Sequence, residues 1–464
     1  MKGLVKYLKN SGIPMGYWFV LMVFYAFFFA TMVFADLCVT YEHGVLLCDS
    51  IFTGKFFDFY DHACTGVYNN PAVYDIGIYL IWAIWALPVY ILTRFWHVAP
   101  AETPILILYG KGLVVIFHFL TLAVVMKIAD VMKLDAKKKA MLMFAYISSL
   151  CMIVSSIGNG QFDIIPTFFI VLGVYYYIKN DYKKFLIVMT FAISFKIFAV
   201  FIAIPLVLYK EKRILYIIRD GIVLLLASAF FKALFWGKQR DYYNIEYFHS
   251  PDQYTNGWLY RMFKIRFPGG IGEISLFILF FVLICGCAYF LRKREEKEIE
   301  TVLLYAFLAY LNFFLFIAAH PQWIVLFIPF LYLFALARKE HYRLNMILAT
   351  LIDVMFFICL SYQWKNVFFS SNVLRGLEIV IPFPETTKLG GSFRGFVDSL
   401  GYEYMYPGLV AVLVAVCAVF IYRYFSKEDR FIEIREEKFE QKMMLSRTVM
   451  IGVYTVINVL LCYV

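Results

Sequence analysis

Long apolar blocks recur along the whole chain and are separated by short clusters of Lys, Arg, Glu and Asp. Of the 464 residues, 62% are hydrophobic and only 16% are charged. A water-soluble domain of this size needs more charged residues to cover its surface. Lipid tolerates only segments whose backbone N–H and C=O groups are paired internally, so each long block should form a helix. The sequence therefore predicts an all-α, polytopic transmembrane helical bundle, with residues 1–464 forming a single membrane domain.

The apolar blocks divide into about thirteen predicted membrane spans. The first is not a cleaved signal peptide on this interpretation, because it is long enough to span and is followed by Asp36 rather than by a small-residue cleavage site. The pair at 185–195 and 197–209 predicts either two short helices or one bent span. The predicted spans cover residues 17–35, 105–127, 140–156, 162–178, 185–195, 197–209, 214–231, 273–291, 302–318, 322–337, 344–361, 407–425 and 448–463.

The apolar block Ile76–Trp96 decides the predicted topology. If this block does not span, the basic loops between later spans all join the basic N terminus in the cytoplasm, and if it spans they all lie outside. The positive-inside rule selects the first arrangement. Pro88 interrupts the block and predicts two short helices in the outer interface, or a re-entrant pair. The loops that decide the choice are Lys127–Lys139, Lys179–Lys184, Lys210–Arg213, Arg292–Lys297, Arg338–Arg343 and Arg423–Lys442.

This topology describes a multi-pass protein of the plasma membrane with a cytoplasmic N terminus and an extracytoplasmic active face. The first outer loop, 36–104, should carry the interfacial helices, and 232–272 and 362–406 form further outer loops. Segment 426–446 is predicted to be cytoplasmic and amphipathic, with a surface helix from about Phe431 to Leu445. The net charge of +10 reflects anchoring loops and not nucleic-acid binding.

Asp36 stands at the outer end of the first predicted span, one residue beyond a strongly apolar run. A carboxylate at that depth is partly desolvated and costly unless it has a partner or a chemical role. Glu42 and His43 follow within two helical turns, so we predict Asp36 as a general base with Glu42 and His43 as orienting groups. The alternative is a helix-end acid that only reaches into the lipid headgroups.

A Gly-rich link at residues 158–160 joins two predicted spans at the outer face and leads into Gln161 and Asp163. Exposed backbone N–H groups before a helix can hold an anion or a sugar hydroxyl. The alternative is a tight helical hairpin, although a turn does not require Gln161 or Asp163. Asp75, just ahead of the interfacial block, continues the polar pattern on this face. Gln161, Asp163 and Asp75 are therefore predicted to bind substrate.

Several cations lie on the predicted outer face, against the positive-inside bias, and suggest a bound phosphate or pyrophosphate. Lys196 lies between two apolar half-helices, where a lipid phosphate would satisfy it. Lys111 is near the outer end of its span, and the 232–272 loop interleaves basic and aromatic residues. His320 begins another outward turn, where a histidine that only packs is the usual case. The predicted substrate-binding residues in this group are Lys111, Lys196, Arg261, Arg266 and His320.

Taken together, the span ending in Asp36, the long outer loop and the step Gly160-Gln161-Phe162-Asp163 resemble the GT-C superfamily of integral membrane glycosyltransferases. The Phe195-Lys196 turn and His320-Pro321-Gln322-Trp323 are similar to bacterial members. Gly110-Lys111 is similar to a feature of the glycosylphosphatidylinositol mannosyltransferases and the polyprenol-phosphate-mannose-dependent enzymes. The resemblance covers most of the chain in layout.

This resemblance implies a transferase that moves a sugar from a polyprenyl-phosphate donor to a glycan or lipid-linked acceptor, with Asp36 as the base on the acceptor hydroxyl. Membrane lipids are the other expected partners. No cofactor is predicted, because the nine cysteines show no metal spacing and the next acid after Asp36 is Glu42; a divalent metal stays open. Two rivals remain: a flippase or transporter for a lipid-linked glycan, and a polysaccharide polymerase or ligase that uses diphosphate-linked donors.

Overall fold

The computed structural model describes residues 14–64, 71–100, 103–238, 261–270, 272–292, 297–317, 319–338, 341–364, 368, 392–426, 431–435 and 437–461. In this part of the chain the protein is almost entirely helical, as the apolar blocks predict, with one small hairpin. The first nine helices, α1 to α9, are Met15–Thr31, Ala35–Phe52, Phe59–Ala63, Ile76–Trp96, Pro104–Val131, Ala136–Ile147, Leu150–Met152, Ile164–Ile178 and Tyr182–Phe195. The helices α10 to α18 are Val200–Lys210, Ile214–Leu234, Leu276–Phe290, Glu298–Phe316, Ile328–Ala337, Tyr342–Gln363, Phe393–Ser399, Tyr406–Phe425 and Phe439–Leu461.

The helices begin where short polar side chains can cap them. The side chains of Asp135, Ser149, Asp181, Ser275 and Ser392 each accept a hydrogen bond from a backbone N–H in the first turn of the helix that follows. Such caps satisfy donors that a helix N terminus otherwise leaves unpaired. These boundaries therefore follow from local chemistry as well as from hydropathy.

Short non-α turns complete the helical part. Residues Phe56–Asp58, Ile197–Ala199, Pro321–Leu326 and Glu403–Met405 are 3₁₀ turns, and Ile153–Gly158 is a π-helix. The hairpin pairs β1 (Arg266–Gly269) with β2 (Gly272–Ser275) in antiparallel fashion, with Arg266 opposite Ser275.

Among the described residues, seven helices are long and apolar enough to cross a membrane, or eight if a bent pair counts as one span. The seven are Ile76–Trp96, Pro104–Val131, Ile214–Leu234, Glu298–Phe316, Tyr342–Gln363, Glu403–Phe425 and Phe439–Leu461. This judgement rests on length and composition, and it is compatible with a multi-pass membrane protein. Several predicted spans form apolar helices of only 10–17 residues, so the count of thirteen spans stays a prediction.

The structure corrects three predictions of local structure. Ile76–Trp96 is one continuous helix with Pro88 inside it, and not two short helices. Residues 431–435 are not helical, and α18 starts at Phe439 and runs through the predicted last span. The prediction of a separate surface helix from Phe431 to Leu445 is therefore wrong. The predicted span 140–156 bends by 46° between α6 and the stretch Leu150–Gly158.

The chain divides into two compact units. Unit 1 consists of Met1–Phe34, His118–Ile164 and His320–Val464, and unit 2 of Ala35–Phe117 and Ile165–Ala319. The boundary falls within α5, whose residues up to Phe117 belong to unit 2. A single polytopic domain for the whole chain stays a prediction.

Close helix packing in unit 2 relies on glycine. A Cβ added to Gly44 of α2 would lie 2.9 Å from Cβ of Trp82 in α4, and one added to Gly77 would lie 2.9 Å from the Phe195 ring. Small residues let helix backbones approach closely where water no longer drives association. In unit 1, by contrast, every residue of α14 is buried, so this helix forms the centre of its unit.

Candidate functional site

Asp36 lies in the first turn of α2 and is half-buried. The sequence placed it in a loop, but the chain becomes helical again at Ala35. The N-terminal end of a helix carries partial positive charge, which stabilises a carboxylate there. The Thr40 hydroxyl donates to the Asp36 carbonyl at 2.7 Å and fixes this first turn.

Glu42 and His43 lie on the same helix as Asp36. His43 is seven positions after Asp36, about two helical turns and a rise of about 10 Å, so the two residues lie on the same face of α2. His43 is 2% exposed and packs edge-on against Tyr79, with ring centroids 5.3 Å apart. Glu42 is half-buried, and together with burial its charge raises the pKa of the Cys38 thiol to about 11. The three predicted catalytic residues therefore extend along about two turns of α2.

Lys196 contacts Tyr74, the residue before Asp75, in unit 2. Lys196 is the residue between α9 and the 3₁₀ turn Ile197–Ala199, and it is 5% exposed. Its Nζ donates to the Tyr74 hydroxyl at 3.4 Å and lies 4.8 Å from the centroid of the Tyr74 ring. The centroid of the Phe198 ring, in the 3₁₀ turn, lies 5.2 Å from Lys196 Nζ. A cation beside aromatic faces is attracted by their negative π clouds.

Asp75 precedes the first residue of α4 and is buried. The hydroxyl of Ser228, in α11, donates to Asp75 Oδ2 at 2.7 Å. The backbone of Tyr74 is held as well, because the Tyr60 hydroxyl donates to its carbonyl at 2.8 Å. Three separated segments therefore fix the Tyr74-Asp75 step.

Lys111 is fully buried in the first half of α5. Its neighbours Gly110 and Gly112 face aromatic rings, since a Cβ on Gly110 would lie 3.2 Å from the Tyr41 ring and one on Gly112 would lie 3.0 Å from Trp85. The Gly-Lys-Gly sequence thus allows α5 to pack closely on α2 and α4. The sequence predicted that Lys111 lies near the outer end of its span. In the structure Lys111 lies among the packed helices of unit 2.

The cations of the 232–272 loop are partly paired with carboxylates. Arg266 is exposed and forms an ion pair with Glu273 at 2.5 Å across the hairpin. Lys238 lies 2.9 Å from Asp58 and 3.4 Å from Asp61, and it holds the pKa of the Asp58 carboxyl below its usual range. Arg261 is buried. The aromatic residues that the sequence places in this loop lie at 242–260, outside the described residues.

Gln161 and Asp163 belong to unit 1 and are buried, together with the Gly-rich link before them. Gly160 has φ +71°, a conformation that favours glycine. Gln161 Nε2 donates to Asp163 Oδ2 at 2.5 Å, and Gln161 Oε1 has no hydrogen-bond partner among the described residues. The chain reaches this turn through a π-helix, a form that often occurs at functional sites.

His320 also belongs to unit 1 and lies between two tryptophans. Its ring centroid is 4.8 Å from that of Trp323 and 4.6 Å from that of Trp364. It directly precedes the 3₁₀ turn Pro321–Leu326, which leads into α14. His320 therefore lies against aromatic rings at the start of this turn.

Asp353 and Arg447 were missed by the sequence analysis. Arg447 Nη2 lies 3.2 Å from Asp353 Oδ2, and the two residues are 2% and 1% exposed. Both lie inside helices that are long and apolar enough to span. An ionisable residue within an apolar segment was the available signal, because such residues are costly in lipid unless they are paired.

No group of three His, Cys, Asp or Glu side chains among the described residues could hold a metal ion. Cys38, Cys48 and Cys64 are free thiols. A comparison of the chain with known protein families and with curated proteins finds no match. Asp36, Tyr74-Asp75 and Lys196 all belong to unit 2.

Proposed function

We propose that the chain is a membrane glycosyltransferase of the GT-C type, which moves a sugar from a polyprenyl-phosphate donor to a hydroxyl of a glycan or lipid-linked acceptor on the extracytoplasmic face. The observation that most supports this proposal is the environment of Lys196. A buried ammonium at a break between two apolar helices, beside the Tyr74 hydroxyl, suits the phosphate of a lipid-linked leaving group. Lysine binds phosphate as a compact point charge with three donors.

The aromatic residues around the break support the same substrate class. Phe195 packs against Phe169 with ring centroids 5.0 Å apart, and the Phe198 ring flanks Lys196. Such faces suit the C–H groups of a sugar ring or an isoprenoid chain. A polar head held by Lys196 and an apolar tail among helices that could span a membrane match a polyprenyl phosphate.

The proposed chemistry is one inverting displacement. The Asp36 carboxylate takes the proton from the acceptor hydroxyl, and the resulting oxygen attacks the anomeric carbon of the donor sugar. The bond between that carbon and the phosphate oxygen breaks, and the polyprenyl phosphate leaves with the bonding electrons. Lys196 offsets the charge that develops on the leaving phosphate. Such a reaction needs mainly positioning, charge stabilisation and a base.

The decisive experiment compares Asp36→Asn with Asp49→Asn in membranes supplied with labelled polyprenyl-phosphate sugar. Asp49 lies on the same helix and is also half-buried, so it is a matched control. Removal of a general base should lower the turnover number by about 10²–10⁴-fold, whereas Asp49→Asn should change it by less than about threefold. Normal transfer by a folded Asp36→Asn variant rules out the proposed base. A donor comparison, monophosphate against diphosphate, separates this function from a polymerase or ligase.

A flippase or transporter for a lipid-linked glycan is the second candidate function. It is favoured by the buried Asp353–Arg447 pair and by buried His118, all in helices that could span. Transporters often place ionisable residues and broken helices at membrane depth. Purified protein in vesicles distinguishes the two functions, because a flippase moves a labelled lipid-linked glycan between leaflets without forming a new glycosidic bond.

A further inference from the structure

We propose that Arg447 and Asp353 clamp the break between α6 and α7 and thereby position the turn that carries Gln161 and Asp163. Their effect on sugar transfer rests on the proposed function, whereas their effect on the break does not. In this proposal Arg447 and Asp353 are positioning residues, because they act on the substrate-binding turn through the backbone.

A helix that stops inside an apolar bundle leaves carbonyl groups without helical partners. Where α6 ends at Ile147, two of these carbonyls accept hydrogen bonds from distant side chains. Arg447 Nη2 donates to the Ala145 carbonyl at 2.8 Å, and the Tyr25 hydroxyl donates to the Ile147 carbonyl at 2.9 Å. Irregular backbone at membrane depth is tolerated only when such groups are satisfied within the protein.

Asp353 holds the other side of the break. The Ser149 hydroxyl donates to Asp353 Oδ1 at 2.9 Å and accepts from the Met152 N–H at 3.2 Å, so one side chain caps α7 and ties it to α15. The Tyr332 hydroxyl donates to Asp353 Oδ2 at 2.6 Å. The carboxylate therefore has a donor at each oxygen in addition to its ion pair with Arg447.

The guanidinium of Arg447 reaches both sides at once. Besides the contacts to Ala145 and Asp353, its Nε donates to the Ser148 hydroxyl at 2.6 Å and its Nη1 donates to the Thr350 hydroxyl at 2.9 Å. A planar fork can make these bonds simultaneously, whereas an ammonium cannot reach all four acceptors. Arginine is thus required here for its shape as well as for its charge.

Backbone hydrogen bonds connect the clamp to the predicted substrate-binding turn. The Ile153 N–H donates to the Ser149 carbonyl at 2.9 Å, and the Asn159 N–H donates to the Val154 carbonyl at 2.7 Å. The Gln161 N–H then donates to the Ser155 carbonyl at 2.9 Å. Residues 149–161 therefore form a connected backbone segment, and its start is fixed by Arg447 and Asp353.

The test is Arg447→Lys, followed by hydrogen–deuterium exchange of peptides from 149–161. Lysine still offsets the charge of Asp353, so the variant should fold, but it cannot hold Ser148 and Ala145 together with Asp353. We expect amide exchange in 149–161 to rise at least tenfold and exchange in α9 of unit 2 to stay unchanged. Unchanged exchange in 149–161 overturns the clamp.

The matched control is Lys137→Gln, which removes the 2.9 Å ion pair between Lys137 and Glu440. This pair also joins α6 to α18, but at the opposite end of α6 from the break, so exchange in 149–161 should stay at the wild-type level. The double variant Asp353→Leu with Arg447→Leu removes both charges and should keep the exchange raised. If the double variant shows wild-type exchange, the hydrogen bonds of these two side chains are not needed to hold residues 149–161, and the clamp is rejected.

A transfer assay on Arg447→Lys completes the test. Displacement of Gln161 and Asp163 should raise the KM for the sugar substrate at least fivefold while kcat falls by less than threefold. A fall confined to kcat contradicts a positioning role through this turn. If the wild-type protein shows no transfer with any donor, the proposed function fails, and the exchange experiment still decides the clamp.

Discussion

Two helix breaks within the described residues, one in each unit, hold a buried cation in different ways. At the Ser148–Ser149 break of unit 1, the Arg447 guanidinium donates to hydroxyls, a carbonyl and a carboxylate from several helices. At the Lys196 break of unit 2, the ammonium lies beside the faces of Tyr74 and Phe198 and donates to the Tyr74 hydroxyl.

Under the proposed function, this difference separates a structural cation, Arg447, from a cation that binds the donor phosphate, Lys196. The guanidinium is a rigid fork whose acceptors are already arranged around it, so a ligand could enter only by breaking several bonds. An ammonium on a flexible stem can turn toward a phosphate without dismantling its surroundings. Burial alone does not distinguish the two, since both side chains are almost fully enclosed.

The largest expected effect is on the stability of unit 1. Arg447→Leu leaves Asp353 as an uncompensated buried charge, which should lower the free energy of unfolding by about 3–5 kcal/mol. Thermal unfolding in detergent measures the loss, with Lys196→Met in unit 2 as the comparison. The double change Asp353→Leu with Arg447→Leu should regain most of the stability. Equal destabilisation by the Arg447 and Lys196 variants would erase the contrast between the two breaks.

The next effect is on activity and belongs to unit 2. Lys196→Met should lower kcat for sugar transfer by about 10²-fold, because an electrostatic contact to the leaving phosphate is worth about 2.7 kcal/mol. Methionine fills a similar volume beside the aromatic rings, so the unfolding midpoint should change little. Lys184→Met, at an exposed ion pair with Asp181, serves as the control. If Lys196→Met has the wild-type kcat, Lys196 has a structural role, as Arg447 does at the other break.

A smaller stability effect is expected at the cap of the unit 1 break. Ser149→Ala removes both the cap on Met152 N–H and a donor to Asp353. The expected loss is about 1–2 kcal/mol, measured by chemical or thermal unfolding. Ser399→Ala is a suitable control, because that hydroxyl is exposed and bonds only locally, to the Phe396 carbonyl. A loss no greater than that of the control would show that the break does not depend on Ser149.

The smallest effect concerns pH and the exposed pair of Lys238 and Asp58 in unit 2. The Lys238 ammonium lowers the pKa of the folded Asp58 carboxyl, so the pair stabilises the fold above the usual carboxyl range and loses its effect as the pH falls through the folded pKa. Solvent screens this exposed pair and keeps the contribution small. Lys238→Gln should lower the unfolding midpoint slightly at pH 7 and not at pH 2. If Lys238→Gln still lowers the unfolding midpoint at pH 2, the ion pair with Asp58 is not the cause. Lys232→Gln is the control for the loss of one positive charge.

Hydropathy predicted where most helices lie, because the free energy of placing a helix in an apolar environment sums over its residues. The blocks 214–231 and 344–361, for example, correspond to Ile214–Leu234 and Tyr342–Gln363. Pro88 was misjudged because proline removes only one helical hydrogen bond, and neighbouring helices can stabilise the helix around it.

The sequence indicated individual residues of the candidate site but not their arrangement. Lys196 and Asp75 stood out as charges in apolar surroundings, yet 122 positions separate Lys196 from Tyr74, and no spacing rule predicts that contact. Asp353 and Arg447 were missed because they lie 94 positions apart in the sequence, and only the fold brings them together. Asp36, Glu42 and His43 were assigned to the first outer loop, whereas α2 begins at Ala35 and imposes helical geometry on all three.

The enclosed segment Pro321–Ala337 shows how a short stretch of chain can still reach across an apolar layer. A 3₁₀ turn rises about 2.0 Å per residue and an α-helix about 1.5 Å, so this segment extends about 28 Å. That is close to the roughly 30 Å thickness of bilayer hydrocarbon. The greater rise per residue of the 3₁₀ turn Pro321–Leu326 therefore gives the length that about two additional α-helical residues would otherwise supply.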